Sequence, residues 1–87
     1  MKDFEAKYDK VQFIDITTDV KNRMGKPKYP YEFFQCMYGG TNLGVIAWHD
    51  TNQQYCYCPV ANLSLTPNVI KDIYGKIYIL MSKRKLN

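Results

Sequence analysis

The chain is predicted to be an α+β domain, an antiparallel β-meander of three to four strands packed against a C-terminal amphipathic helix. Three observations lead to that class. Between residues 31 and 60, short runs rich in aromatic and β-branched residues are separated by Gly-, Asn- and Asp-bearing turns. A helix start signal stands at Thr66-Pro67. Apolar residues then recur at helical spacing as far as Met81.

The elements follow in chain order. Residues 3–10 allow a short N-terminal helix, because Phe4, Tyr8 and Val11 fall at i, i+4 and i+7. Val11 to Thr18 reads as a strand, rich in Val, Phe, Ile and Thr. Residues 19–30 carry Gly25, Pro27 and Pro30 among basic residues and read as a loop, with room for a turn of helix after Thr18 or Asp19. Tyr31 to Tyr38 is the next strand. Gly39-Gly40-Thr41-Asn42 turns the chain, since adjacent glycines supply the positive φ values of tight hairpins. Leu43 to His49 is a strand, Asp50 to Gln53 a second turn, and Gln54 to Val60 a further strand ending near Pro59.

The last element is the clearest. Thr66 suits an N-cap and Pro67 the first helical position. Val69, Ile70, Ile73, Ile77, Leu80 and Met81 share one face, centred on Ile70, Ile73 and Ile77. Lys83, Arg84 and Lys85 complement the negative end of the helix dipole. Gly75 costs roughly 0.5–1 kcal/mol relative to Ala in a helix. A break there, with Lys76–Met81 as a strand, is the alternative.

Eighty-seven residues make a single domain. A chain of this size buries roughly 60–65% of its unfolded surface, leaving little room for both a core and a deep active site. That favours a binding module over an enzyme, and no cofactor is expected. Aromatics reach 15%, and eight of them are Tyr, which tolerates half-exposed and interfacial positions. No apolar run approaches the ~20 residues of a membrane span. Met1-Lys2-Asp3-Phe4-Glu5 has no apolar core, so no signal peptide is expected. The three cysteines are therefore expected as reduced thiols in the cytoplasm.

Charge is segregated along the chain. Residues 1–19 carry an acidic excess. Residues 20–31 hold Lys21, Arg23, Lys26 and Lys28 with no acid, and residues 32–65 hold only Glu32 and Asp50. Lys71, Lys76, Lys83, Arg84 and Lys85 outnumber Asp72 in the remainder, and the chain totals +4.

Leu43-Gly44-Val45-Ile46, Tyr55-Cys56-Tyr57-Cys58-Pro59, and Ile70 with Ile73 resemble a loose class of small phage and mobile-element proteins. In that class an aromatic hairpin is followed by a helix. The resemblance covers residues 39–82, about half of the chain. It implies a phage-like origin, action in a host cytoplasm and a role in binding host machinery.

Four residue groups carry candidate chemistry. Cys36, His49, Cys56 and Cys58 form a conceivable Cys3His zinc set, but without the Cys-x2-Cys spacing of a knuckle. The plainer reading makes the cysteines small inward-facing hydrophobes, and no metal is expected. His49 with a cysteine is the only nucleophile–base pairing on offer, and no catalytic residue is assigned. Lys21, Arg23, Lys26, Lys28, Lys83, Arg84 and Lys85 provide the charge, beside Tyr29 and Tyr31, that a nucleic-acid-binding module uses. A solvated loop and a dipole-matched helix end explain the same residues.

Counting strand faces adds the fourth group. Tyr55 and Tyr57 oppose Cys56 and Cys58; Leu43, Val45 and Ala47 oppose Ile46 and Trp48; Phe34, Cys36 and Tyr38 oppose Phe33 and Met37. Both faces are apolar or aromatic, and one helix covers only one of them. The other is left for residues 1–18, a second copy in a homodimer, or a partner. The leading expectation is a non-catalytic, phage-type interaction protein that binds and inhibits a host protein or defence complex. Its contacts would be Trp48, Tyr55, Tyr57, Tyr29 and Tyr31. Nucleic-acid binding is the alternative, and a small-ligand-sequestering oligomer stands behind it.

Overall fold

The computed structural model describes residues 10–85. The helix expected at 3–10 falls almost wholly outside these residues.

Four strands form one antiparallel sheet in the order β1-β2-β3-β4: β1 (Gln12–Asp15), β2 (Phe34–Tyr38), β3 (Thr41–His49) and β4 (Gln54–Pro59). Helix α1 (Thr17–Met24) follows β1, and helix α2 (Pro67–Lys85) ends the chain. The fold is the expected α+β meander, with two corrections at its start. The first strand stops at Asp15, and a helix of eight residues replaces the end of that strand and part of the loop. The Asp15 carboxylate accepts the Thr17 N–H at 2.9 Å, satisfying a first-turn donor. Thr17 Oγ1 accepts the Phe33 N–H at 3.0 Å and ties the turn to the chain entering β2. Gly25, in the left-handed region, closes α1 as Lys26 N–H reaches the Lys21 carbonyl.

Strand β2 begins at Phe34 rather than Tyr31. Ile16 N–H and Thr17 Oγ1 hold Phe33, and residues 29–33 form an irregular segment that leads into β2.

A β-bulge corrects the face count on β3. Cys36 pairs with Gly44 but Met37 pairs with Asn42, leaving Leu43 as the extra residue. Asn42 Oδ1 accepts the Gly44 N–H at 3.0 Å, and Gly44 takes a φ of +128°. Leu43 is therefore buried in the core with Ile46 instead of sharing the face of Val45 and Ala47.

Helix α2 is continuous through Gly75. Thr66 Oγ1 accepts the Val69 N–H at 3.4 Å, as an N-cap does. Its buried line is Val69, Ile73 and Leu80, flanked by Ile77 and Met81. Ile70, expected at the centre of that face, is 39% exposed. The stripe is rotated because Lys76 also faces the sheet, its ammonium 4.4 Å from the Phe34 ring centre and 5.8 Å from that of Phe13.

The core lies between α2 and one sheet face, where Val11, Phe34, Cys36, Leu43, Ile46 and Tyr55 are buried. On the opposite face Met37, Val45, Ala47 and Cys56 are half-buried, and Ile14 and Cys58 are exposed. Helix α1 stands beside part of that face, where Ile16, Val20 and Arg23 line a shallow groove with Gln35 and Val45.

Candidate functional site

The aromatic residues that the sequence marks as contacts do not lie on the open face. The register pairs Trp48 with Tyr55 and Ile46 with Tyr57, which puts all four on the α2 side. Tyr55 is 2% exposed, and its hydroxyl accepts the Glu32 N–H at 3.3 Å. It is a buried anchor, not a free contact residue. Tyr57 is half-buried, and its hydroxyl donates to the Leu43 carbonyl across the bulge. Burial raises the Tyr57 phenol above its ordinary pKa, with Cys36 and Tyr74 adding to the effect, so the donor keeps its proton.

Four of the five rings meet at one end of the sheet. Tyr31 stacks on Trp48 with centroids 4.2 Å apart and planes within 2°. Both meet Tyr55 edge-on, at 6.4 and 5.3 Å. Tyr29 lies edge-on to Tyr31 at 5.3 Å and stacks on Phe33 at 5.8 Å. The segment ahead of β2 makes this possible by laying Tyr31 against Trp48 near the end of β3, with Tyr29 beside it. Such pairs contribute about 0.5–1.5 kcal/mol beyond area burial.

The cluster gains a cation from α2. Arg84 places its guanidinium carbon 4.3 Å from the Tyr31 ring centre and 5.3 Å from that of Trp48. Asp50, in the β3–β4 turn, accepts the Trp48 indole N–H at 2.9 Å. Burial raises the Tyr29 phenol, and Asp50 adds to that, so Tyr29 is a protonated donor at neutral pH. The composite site thus has stacked rings, one guanidinium and one carboxylate.

The other basic residues are spread around this end and beyond it. Lys26 and Lys28 are exposed in the turn that leads into Tyr29, where Tyr29 N–H bonds the Lys26 carbonyl at 3.0 Å. Lys21 and Arg23 sit on α1, and Arg23 faces the groove beside the second sheet face. Lys83 is exposed on the last turns of α2. The Lys85 side chain lies outside the described residues. Arg84 therefore unites the aromatic and basic sets, a join that sequence spacing does not reveal. The structure also shows an exposed ridge on α2, formed by Ile70, Tyr74 and Tyr78. Their spacing at i, i+4 and i+8 is the signal that could have found it.

The zinc set is divided by the sheet. Cys36 points into the core and is fully buried, and burial pushes its thiol up to about 11. Cys56 and Cys58 pair with Ala47 and Val45 on the opposite face, and His49 is exposed at the end of β3. Among the described residues no three His, Cys, Asp or Glu side chains converge on a metal-sized site. No helix among them is long and apolar enough to cross a membrane. Compared with known protein families, curated proteins and solved structures, the chain matches none.

Proposed function

We propose that the protein is a non-catalytic interaction module whose contact surface is the end of the sheet bearing Tyr29, Tyr31, Trp48 and Arg84. One observation carries this reading: the aromatic and basic sets, far apart in sequence, come together where Arg84 lies over Tyr31 and Trp48. Trp, Tyr and Arg are the residue types that dominate binding hot spots between proteins. Rings already stacked and packed lose little freedom on binding, which favours affinity. Lys26, Lys28 and Lys83 suit a partner that presents carboxylates around an apolar centre. On the phage-type resemblance, that partner is a host protein or defence complex, inhibited by occupation.

The nucleic-acid reading shares part of this surface and extends to α1. Lys21, Arg23, Lys26, Lys28, Lys83 and Arg84 would hold the backbone, and rings would stack on bases. Tyr31 and Trp48 already stack on each other beside Arg84, which leaves fewer ring faces for bases and favours a protein partner.

The test is affinity capture from bacterial lysate, with and without nuclease, using wild type and the variants Tyr29→Ala and Arg84→Gln. The expected result is a captured protein that survives nuclease and falls about tenfold or more with either variant. Capture abolished by nuclease transfers the surface to the nucleic-acid reading. Capture unchanged by both variants rejects this surface.

A further inference from the structure

Strand β4 carries two of the three cysteines on the sheet face turned away from α2. Cys56 pairs with Ala47 and Cys58 with Val45, so both thiols share that face. Cys56 is half-buried and Cys58 is exposed, against the expectation that the cysteines point inward. Cys36, on the other face, is fully buried. Only Tyr57 separates the pair, and its ring is fixed on the α2 side by the bond to the Leu43 carbonyl.

Pairing of β4 with β3 runs from Gln54 to Pro59, so strand geometry sets the distance between the two thiols. Two residues of strand span about 6.7 Å. Their Cα–Cβ bonds project in parallel, which keeps the Cβ atoms about as far apart as the Cα atoms. A disulfide needs Cβ atoms about 3.5–4.5 Å apart, so the two thiols cannot join each other without distorting the strand. An ion between two sulfurs reaches further. With metal–thiolate bonds of about 2.3 Å, a linear sulfur–metal–sulfur unit holds its sulfurs about 4.6 Å apart. Strand side chains lean along the strand, and one sulfur leaning forward with the other leaning back meets that spacing. Cys56 Sγ lies 3.9 Å from the Gln54 carbonyl oxygen and 3.9 Å from the Gln54 side-chain nitrogen. Rotation about its χ1 exchanges these two weak sulfur contacts for one metal–thiolate bond.

The surroundings select the ion. His49 shares the face but pairs with Gln54, one row beyond Cys56. Among the described residues no third His, Cys, Asp or Glu converges with the two thiols. Structural zinc takes four ligands, and calcium and magnesium take oxygens. Two thiolates alone suit a soft ion that accepts linear coordination, and among the first-row metals soft sulfur ligands select Cu(I). Gln35, Val45, Ala47 and Gln54, which pair around the cysteines, bring no ammonium or carboxylate to compete with the ion or its ligands.

We propose that Cys56 and Cys58 form a chelating dithiol for a soft two-coordinate cation, with Cu(I) as the ion that fits it. Both thiols release their protons to solvent as two copper–sulfur bonds form. Copper enters and stays as Cu(I), so no electron is transferred. The site lies on the sheet face opposite Trp48 and is therefore separate from the proposed contact surface.

The experiment titrates the reduced chain with Cu(I), supplied as its acetonitrile complex under nitrogen. Binding is followed by the thiolate-to-copper charge-transfer absorption in the ultraviolet. Sedimentation is measured before and after loading. The expected result is an absorption that saturates at one Cu(I) per chain, with sedimentation unchanged on loading. Cys56→Ser and Cys58→Ser are each expected to weaken binding about a hundredfold or more, because the second bond of a chelate is intramolecular. Both positions lie outside the core, so these variants keep the wild-type urea midpoint. Cys36→Ala binds Cu(I) as the wild type does. Either single-thiol variant binding as tightly as the wild type overturns the proposal and leaves an adventitious ion only. So does a copper-dependent dimer, which would place the two sulfurs on different chains. The absence of a charge-transfer band at about 100 μM chain and ion, where a site of micromolar affinity is nearly full, overturns it as well.

Discussion

The two faces of the sheet use neighbouring positions of the same strands and end in different states. Under α2, Phe34, Cys36, Ile46 and Tyr55 are buried, and every one packs against another buried side chain. On the reverse, Val45, Ala47 and Cys56 alternate with them and stay half-buried, while Cys58 is exposed. The side chains on the reverse are smaller, and α1 reaches only the Val45 and Gln35 end of them. Hydrophobicity along a strand therefore marks two apolar faces without ranking them. The ranking comes from which face receives the long helix, and the large rings went there.

The bulge at Gly44 is the strongest point at which to break this arrangement. A Cβ at Gly44 would stand 2.2 Å from the Cys58 carbonyl oxygen and 2.9 Å from Pro59 Cα, both rigid backbone atoms. Its φ of +128° is also closed to other residues. Gly44→Ala is expected to destabilise by on the order of 4 kcal/mol or to prevent folding. Urea unfolding followed by tryptophan fluorescence measures it. A variant as stable as the wild type would mean that Leu43 does not need the bulge to reach the core.

A matched pair of truncations then compares the faces directly. Ile73→Ala removes a fully buried side chain from the packed side and is expected to cost about 2–5 kcal/mol. Val45→Ala, on the open side, is expected to cost under about 1 kcal/mol. Equal losses in urea midpoint would mean that the reverse face is covered as tightly as the one beneath α2.

Much of this is legible in the sequence. Thr66-Pro67 starts α2, Gly39-Gly40 makes the first hairpin turn, and the four strands fall close to their expected places. The failures share a cause: each involves contacts between segments distant in sequence. Asp15 and Thr17 fall within a β-forming run, and the turn there is set by the Asp15 carboxylate on the Thr17 N–H together with the bonds between Phe33 and both Ile16 and Thr17 Oγ1. Leu43 reads as a partner of Val45 until the register against Met37 inserts it into the core. At the candidate site, the rings of Tyr29, Tyr31 and Trp48 are identifiable by type. Their meeting with Arg84 depends on the length and angle of α2, which no local pattern encodes.

The cysteines provide a chemical comparison of the same two faces. A thiol reagent at neutral pH should label Cys58 and Cys56 in the folded protein and Cys36 only after unfolding. Burial holds the Cys36 thiol neutral up to about 11 from an ordinary value of 9.0. The unfolded chain releases that proton first, so stability is fully present below about 9 and is lost as pH rises through about 11. Tyr29 and Tyr57, whose phenols are also raised, add to the loss only above their ordinary 10.0. The expected observation is a urea midpoint that falls as pH rises from about 9 toward about 11, and falls less steeply in Cys36→Ala. A flat profile would indicate that water reaches Cys36 on the packed face.

Gly75 gives the smallest effect and the opposite sign to Gly44. It lies in the middle of α2, its helical backbone is open to any residue, and a Cβ there meets nothing within 4 Å. The position belongs to the exposed flank beside Lys71 and Ile79, away from the packed line of Val69, Ile73 and Leu80. Adding a methyl group therefore disturbs no contact and reduces the freedom of the unfolded chain. Gly75→Ala is expected to stabilise the protein by roughly 0.5–1 kcal/mol, the ordinary difference between the two residues inside a helix. Circular dichroism at about 222 nm during urea unfolding reads both the gain and the helix content. A loss of stability would mean that the flank of α2 nearest β1 is covered in solution, which would extend the packed region of the molecule beyond the single sheet face beneath α2.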